Sequence, residues 1–489
     1  MAPVKSIAII GAGASGAAAA NAFAAEKYFD VIKVFERREE PGGTWIFDAV
    51  PPELDLVPGA LPYQLDPPLR IPPALPTTVR ANTQERFHKT PVYDGLTTNV
   101  PEIAMSLSDR RFPYGPFVPH WVPKNYIREH FSVHGHDKLL NLNTTVERVT
   151  KIAGDRWHLV LRRHDALLDR DEWWEEDFDA VVFGNGHYSV PYVPFVPGLA
   201  EYLLKFPGRV SHSKSYRGPK QFTNQRVLVI GNSTSGYDVT DQLRRSPLVQ
   251  HPIIQSRHSR SLWEGDEPPD GLTWKPVISE YTADGTILFE DGSSLAHSEI
   301  DAIVYCTGYR PSYPFWDAKK NGRDLYDYEA NRFAGTFQHT FVPDYPTLGV
   351  IGIPRSLTFR SFEYQAIALA RVWSGRAKLP SLEEQRQWEV DRVKERNLSH
   401  RKFHDVEWDT GETEEYLTFL YRLAGLPLLD GTGLTPPVLD ASTRWAIENI
   451  RKHPIFRPTR SSAKGGQGEV ANEGDWVVVS PWKDSLSFI

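Results

Sequence analysis

Two stretches of this chain, with turns that start at Gly11 and Gly231, repeat one local arrangement: an apolar strand, a glycine-bearing turn, a helix and a second strand. In the first, Ile7–Ile10 reads as a strand, Gly11-Ala12-Gly13-Ala14-Ser15-Gly16 as the turn, Ala17–Glu26 as an alanine-rich helix and Val31–Glu36 as the next strand. Gly11 allows the tight bend, Gly13 lets backbone approach a pyrophosphate, and Gly16 lets the helix pack on the strand. The helix N-terminus then faces the phosphates. Glu36 lies 20 residues beyond Gly16, where a carboxylate accepts hydrogen bonds from ribose hydroxyls. A glycine motif alone is weak evidence, but strand, helix and acid in register point together to a dinucleotide site.

The second unit runs from strand Arg226–Ile230 through Gly231-Asn232-Ser233-Thr234-Ser235-Gly236 to helix Tyr237–Arg244 and strand Pro252–Ser256. Serine takes the place of the middle glycine and still permits fairly close backbone approach. About 20 positions on stands Arg257, where an acid would select the ribose of NAD. Its planar fork of donors suits a 2′-phosphate, so the second site is assigned to NADPH rather than NADH. The predicted fold class is α/β, with two Rossmann-like dinucleotide-binding domains and the NADPH domain inserted into the first.

The boundaries follow from the segments between. Residues 1–195 form the first part of the first domain, 196–307 the NADPH-binding domain, and 308–489 the return part with a C-terminal helical extension and tail. The Tyr192–Pro197 run is stiff and extended, as a crossing between domains should be. Proline crowds residues 50–76, which excludes helix and inner strand and reads as a surface excursion. Val146–Leu161 reads as a hairpin around Gly154-Asp155, Phe178–Gly184 and Asp301–Cys306 as short buried strands. Residues 367–400 read as helical and charged, with Ser381 and Glu384 as a capping box. Residues 461–474 read as a flexible tail.

Composition narrows the partners. A net charge of −7 with no long Lys/Arg run leaves no face for a nucleic acid. The one cysteine, Cys306, excludes an intrachain disulfide or redox dithiol and fits a reducing, cytoplasmic setting. The glycines at 11, 13 and 16 argue against a signal peptide, and no apolar stretch approaches the roughly 20 residues of a membrane span. A soluble protein with a small-molecule substrate is expected, and a homo-oligomer is compatible with the sequence.

Between the two units lies Phe206-Pro207-Gly208-Arg209-Val210-Ser211-His212-Ser213-Lys214-Ser215-Tyr216, which matches F-x-G-x-x-x-H-x-x-x-Y/F. With Glu36-Arg37, Gly42-Gly43-Thr44-Trp45, Tyr93-x-x-Leu96-x-x-Asn99-x-Pro101, Gly186-His187-Tyr188 and Cys306-Thr307-Gly308-Tyr309, the chain resembles the flavin-containing monooxygenases over residues 5–390. It is most similar to their fungal thiol-oxidising branch. The resemblance implies that the first site takes FAD, held by the turn residues with Glu36, Arg37, Gly43, Thr44 and Trp45. It implies that Asn99 is the catalytic residue beside the flavin ring and NADP⁺, that Thr98 and Val100 adjoin both cofactors, and that Thr358 lies near the flavin. Val146 and Asp238 complete the expected cofactor contacts. His212 is read as a hinge or cofactor-orienting residue rather than a proton donor.

The reaction implied is hydride transfer from NADPH to FAD, addition of O₂ to give a C4a-hydroperoxyflavin guarded by retained NADP⁺ and Asn99, and oxygen transfer to a thiol, sulfide or amine. No protein nucleophile or metal is needed, and no triad or metal cluster stands out. Baeyer–Villiger oxygenation of a ketone is the nearest alternative, disfavoured because Tyr216-Arg217 ends the motif where that group has Trp. A flavin disulfide reductase lacks its Cys-x-x-Cys here. A catalytically silent flavoprotein acting as a redox-sensing module is the alternative of another class.

Overall fold

The computed structural model describes residues 3–84, 86–261, 263–354, 356–453 and 477–478. The first unit builds a five-stranded parallel sheet, in the order 348–350, 180–183, 6–10, 31–35 and 140–141. Side chains of a strand alternate between faces, and the apolar run Ile7–Ile10 uses both. Ile7 and Ile9, with Val34 and Val182, pack under helices Ala14–Ala25, Trp121–Val133 and Phe359–Trp373. Ala8 and Ile10, with Phe35, Val181 and Phe183, pack on Trp157, Leu159 and Leu161 of a second sheet. A sheet covered on both faces explains why its strands read as unbroken apolar runs.

That covering sheet is antiparallel, in the order 77–80, 170–178, 156–165 and 144–152. The expected hairpin is present, with Gly154 at φ 77° and Asp155 at φ 57° in its bend. The single strand expected over Phe178–Gly184 is two: one ends at Phe178 in the antiparallel sheet, and Ala180–Phe183 belongs to the parallel one.

The second unit builds its own five-stranded parallel sheet, ordered 210–212, 302–305, 226–230, 250–256 and 272–275. Val227, Val229 and Val304 face helix Thr234–Arg245 through Val239 and Leu243. Leu228, Ile303 and Tyr305 face the other way, onto Ile278, Ile287 and Leu295 of a small three-stranded sheet. Strand 302–305 therefore closes the second sheet, and strand 348–350 makes the return to the first. The two crossings are zipped together: Val190–Pro191 pairs antiparallel with Tyr309–Arg310, Tyr192 N donates to Gly308 O at 2.9 Å, and Thr307 Oγ1 donates to Tyr192 O at 2.5 Å.

Other expectations need correction. Both helices that follow the glycine turns start earlier than read, at Ala14 and Thr234, because the turn residues themselves enter the first helical turn. The Pro-rich segment carries one short helix, Pro62–Leu65, with proline at its start, and is not wholly superficial: Leu69 is buried against Val160 and Trp173. The helical region read over 367–400 is two helices, Phe359–Trp373 and Leu382–Ser399. Phe359–Trp373 is buried at every residue but Phe362, charges included. Arg360 donates to the Ser106 and Ile103 carbonyls, Glu363 accepts from Ser108 N and Oγ, and Arg371 pairs with Glu26. Charge there marks internal tethers instead of a wet face. The capping box holds, with Glu384 N donating to Ser381 Oγ at 3.2 Å. The tail read over 461–474 lies outside the described residues.

Candidate functional site

At the first turn the backbone leaves no room for side chains. A Cβ on Gly16 would stand 1.9 Å from Gly11 O, and one on Gly11, at φ 102°, would stand 2.6 Å from Gly184 O. Gly43 closes the cradle from above: its Cβ would lie 2.8 Å from Gly13 Cα. Two backbones therefore meet face to face at Gly13 and Gly43, beside the start of helix Ala14–Ala25. Such a cradle fits a pyrophosphate and its dinucleotide, the group expected as FAD.

Glu36 is buried and spans this loop. Ala12 N donates to its Oε2 at 2.8 Å and Arg38 N to its Oε1 at 2.9 Å. The carboxylate thus shapes the turn, and each oxygen keeps a second lone pair for a ribose hydroxyl. Arg37 is tied to the Arg86 and Phe87 carbonyls at 2.9 and 3.2 Å, Thr44 is exposed, and Trp45 meets Phe359 edge-on. Gly352, in the turn before helix Phe359–Trp373, approaches Ser15 so closely that a Cβ would stand 2.5 Å from Ser15 Oγ. Thr358 caps that helix at φ 50°, rare for a β-branched residue, and its buried Oγ1 has no hydrogen-bond partner. An unpartnered hydroxyl on a strained residue near the first turn fits a ligand contact. Val146 is a core residue, packed with Phe35 and Leu161, and the strand register shifts just after it.

The second turn repeats the geometry. A Cβ on Gly236 would stand 2.2 Å from Gly231 O, and one on Gly231 2.8 Å from Cys306 O. Ser233 and Thr234 are exposed at the start of the helix, and Ser235 is half-buried. Arg257 stands at the end of the adjacent strand, stacked on Trp274 at 3.5 Å and paired with Glu264 at 2.6 Å. Asn232 Nδ2 also reaches Glu264, at 3.2 Å from both oxygens.

Asp238, expected among the cofactor contacts, is a buried hub on the flank of that helix. Tyr93 OH donates to Oδ2 at 2.5 Å, Lys452 Nζ lies 3.4 Å from Oδ2, and His453 Nε2 3.2 Å from Oδ1. Burial would raise its pKa, but the His453 hydrogen bond, the Lys452 charge and the Tyr93 hydroxyl together hold it below the ordinary carboxylate value.

These contacts place Asn99. Its loop is held from the second unit through Tyr93–Asp238 and through Gly95, whose Cβ would meet Gln242 Nε2 at 3.3 Å. It is held from the first unit through buried Thr98, whose N donates to Val118 O at 2.9 Å and whose Oγ1 accepts from Val118 N at 3.0 Å. Val100 packs on the first core, and Thr97 O faces Lys452 Nζ at 3.4 Å. Asn99 is left exposed between the two units.

The F-x-G-x-x-x-H-x-x-x-Y motif lies across the same junction. Phe206 packs with the second unit's core, and Gly208 takes φ 78° in the turn after it. His212 is 1% exposed, its Nδ1 accepts from Lys214 N at 3.1 Å, and its ring meets Tyr309 edge-on. Burial pushes its pKa down to about 3, so the ring is neutral. Tyr216 OH donates to Gln242 at 2.9 Å. Arg217, read in the sequence only as the residue that ends the motif, is the strongest tie: it donates to the carbonyls of Asp48, Thr90, Lys214 and Tyr216 at 2.6, 3.2, 2.9 and 2.7 Å.

Sequence reasoning missed Arg217, Glu264, Lys452 and His453, because their partners are distant in the chain and no spacing announces them. It also found no metal cluster. Folding does bring Asp109, His130 and His134 together, with one ligand-type atom of each within 4.8 Å of the others. The two histidines share a helix face by their four-residue spacing, and His134 Nε2 lies 2.7 Å from Asp109 Oδ2.

The flavin-binding monooxygenase-like family pattern matches residues 79–262 and 270–426, and a NAD(P)-binding Rossmann-like domain matches 9–60. Flavin-containing monooxygenase FMO GS-OX3 of Arabidopsis thaliana is 30% identical over 390 residues, covering 77% of this chain and 75% of its own. FMO GS-OX5 of the same plant is 31% identical over 394 residues, with 77% and 75% covered. The structure of S-allyl-L-cysteine S-oxygenase from Allium sativum superposes with a TM-score of 0.71 at 25% identity, over 92% of this chain and 93% of that one. Cyclohexanone monooxygenase shares the fold at 13% identity and a TM-score of 0.56, over 86% of this chain and 98% of its own.

Proposed function

Because this chain belongs to the flavin-binding monooxygenase-like family, whose members work with FAD, NADPH and O₂, we propose that it oxygenates a soft sulfur or nitrogen atom of a small molecule, with a thiol or sulfide as the first class to test. When both cofactors are bound, NADPH supplies hydride to FAD and the reduced flavin activates O₂ for transfer of one oxygen atom. The protein's part is to bind, orient and shield.

The observation that carries this reading is the loop Tyr93–Asn99, anchored on Asp238 of the second unit and on Val118 of the first, with Asn99 exposed between them. An amide there offers two donors and an acceptor without becoming a proton source. The neutral, buried His212 supports a positioning role for the motif, since a group held neutral down to about pH 3 does not deliver protons at working pH. Likeness to an S-oxygenase, and a motif that ends in Tyr216-Arg217, support sulfur or nitrogen over a ketone.

In this proposal the FAD-binding domain is residues 1–195 with 308–489, and the NADPH-binding domain is 196–307, flanked by the zipped crossings at Val190–Pro191 and Tyr309–Arg310. No described helix is long and apolar enough to cross a membrane. Cys306 is buried with its thiol pushed up to about 12, which suits a reducing, cytoplasmic setting. The test is a panel of thiols, sulfides, amines and ketones, read as stimulated NADPH consumption with products identified by mass. One added oxygen on sulfur or nitrogen is expected; ester formation from a ketone, with sulfides and amines inert, would assign the alternative chemistry.

A further inference from the structure

The family pattern matches up to residue 262 and again from 270, so Trp263–Pro269 lies outside the matched segments. Glu264 stands in it, and its carboxylate is buried at 6% exposure although the loop around it is charged. Arg257 Nη1 donates to Oε2 at 2.6 Å, Ser261 N donates to the same oxygen at 2.8 Å, and Asn232 Nδ2 lies 3.2 Å from both oxygens. Asn232 belongs to the second glycine turn, where a dinucleotide's pyrophosphate is held, and Arg257 ends the next strand, where its adenosine ribose is read.

The loop is latched in this position. Arg260 donates to Glu264 O at 2.9 Å and to Asp266 at 2.6 Å, and Trp263 packs edge-on against Tyr237 and His453. Arg257 is stacked on Trp274, which fixes its guanidinium, so an arriving anion competes with the Glu264 carboxylate for it. A carboxylate and a phosphate are both anions and use the same donors. They cannot share Arg257 without strong repulsion.

We propose that Glu264 is a specificity-determining residue: a resident anion on the Arg257–Asn232 subsite, which the 2′-phosphate of NADPH displaces on binding and which thereby narrows the enzyme's preference for NADPH over NADH. This rests on reading Arg257 as the phosphate-binding residue. NADH carries no competing charge and leaves the Glu264 pair in place.

The test uses the FAD-loaded protein and isothermal titration calorimetry with 2′,5′-ADP and 5′-AMP, on the parent, Glu264→Gln, Arg257→Ala and the double variant. Glu264→Gln should bind 2′,5′-ADP roughly three- to tenfold more tightly with 5′-AMP unchanged, and should have no such effect on the Arg257→Ala background. If Arg257→Ala weakens 2′,5′-ADP alone while Glu264→Gln leaves it unchanged or weaker, the Arg257 reading stands and the proposal is overturned. If Arg257→Ala affects both ligands equally, reading and proposal fall together. Glu264→Ala, measured in the same way, answers for any folding defect peculiar to the glutamine.

Discussion

Removing the Arg217 guanidinium should do more damage than removing any glycine-turn side chain, because one buried cation holds four backbone carbonyls drawn from residues 48, 90, 214 and 216. Hydrogen bonds from a charged donor are worth about 1.5–3 kcal/mol each, and the carbonyls left behind lose a partner as well. The four are not additive, since one side chain orders them all. A loss of roughly 3–5 kcal/mol for Arg217→Ala is the scale of other broken buried networks. For a cooperative unit of 150–250 residues that lowers the melting midpoint by about 6–20 °C. The tie links the segment after Trp45 to the entry of the second sheet, so the loss should also separate the unfolding of the two units. Differential scanning calorimetry of the FAD-loaded protein should show the parent's transition lowered and split in Arg217→Ala, and partly restored in Arg217→Lys. A variant that melts within about 2 °C of the parent, in one transition, would refute the view that this residue couples the units.

Asn99→Ala should retain FAD and still be reduced by NADPH, but should divert reducing equivalents into H₂O₂; unchanged coupling with weaker substrate binding would move Asn99 to the substrate pocket. Gly43→Ala should lose FAD during purification, because its Cβ would stand 2.8 Å from Gly13 Cα with backbone on both sides, and a flavin content equal to the parent's would refute the cradle. Stability should fall as pH drops below about 6.5, since burial holds His212 down to about 3 and His130 and His136 to about 4, so that the unfolded chain takes up protons the native chain refuses. The contribution is complete above the ordinary histidine value and is lost toward the folded one, at roughly 1.4 kcal/mol per pH unit per histidine. Urea midpoints between pH 7.5 and 5 should show it, with a shallower slope for His212→Gln; equal slopes would remove His212 from the cause.

How much of this was legible depended on distance along the chain. The first glycine turn was readable because strand, turn, helix and acid lie within 36 residues of the start and pair as neighbouring strands. The inserted second unit followed from the same pattern. Helix Phe359–Trp373 was read only from residue 367 and as charged, because Glu26 and the Ala424 carbonyl, the partners of buried Arg371, are distant in the chain. Asn99 was placed by resemblance alone. The reason for its position, a loop pinned by Tyr93 to Asp238 across 145 residues, has no signature in spacing. Glu264 was invisible for a different reason: its loop carries no motif, and only the fold brings its carboxylate to Arg257 and Asn232.

In the proposed function, two cofactors meet beside Asn99 to put one atom of O₂ on a soft nucleophile. Isotope transfer tests it most directly. The FAD-loaded protein is given NADPH and the best thiol or sulfide of the panel under ¹⁸O₂, and product, NADPH and peroxide are measured together. One labelled oxygen in the product for each NADPH consumed is the predicted result. Product without label, or NADPH consumption that ends wholly in H₂O₂ for every sulfur and nitrogen compound tried, would contradict it.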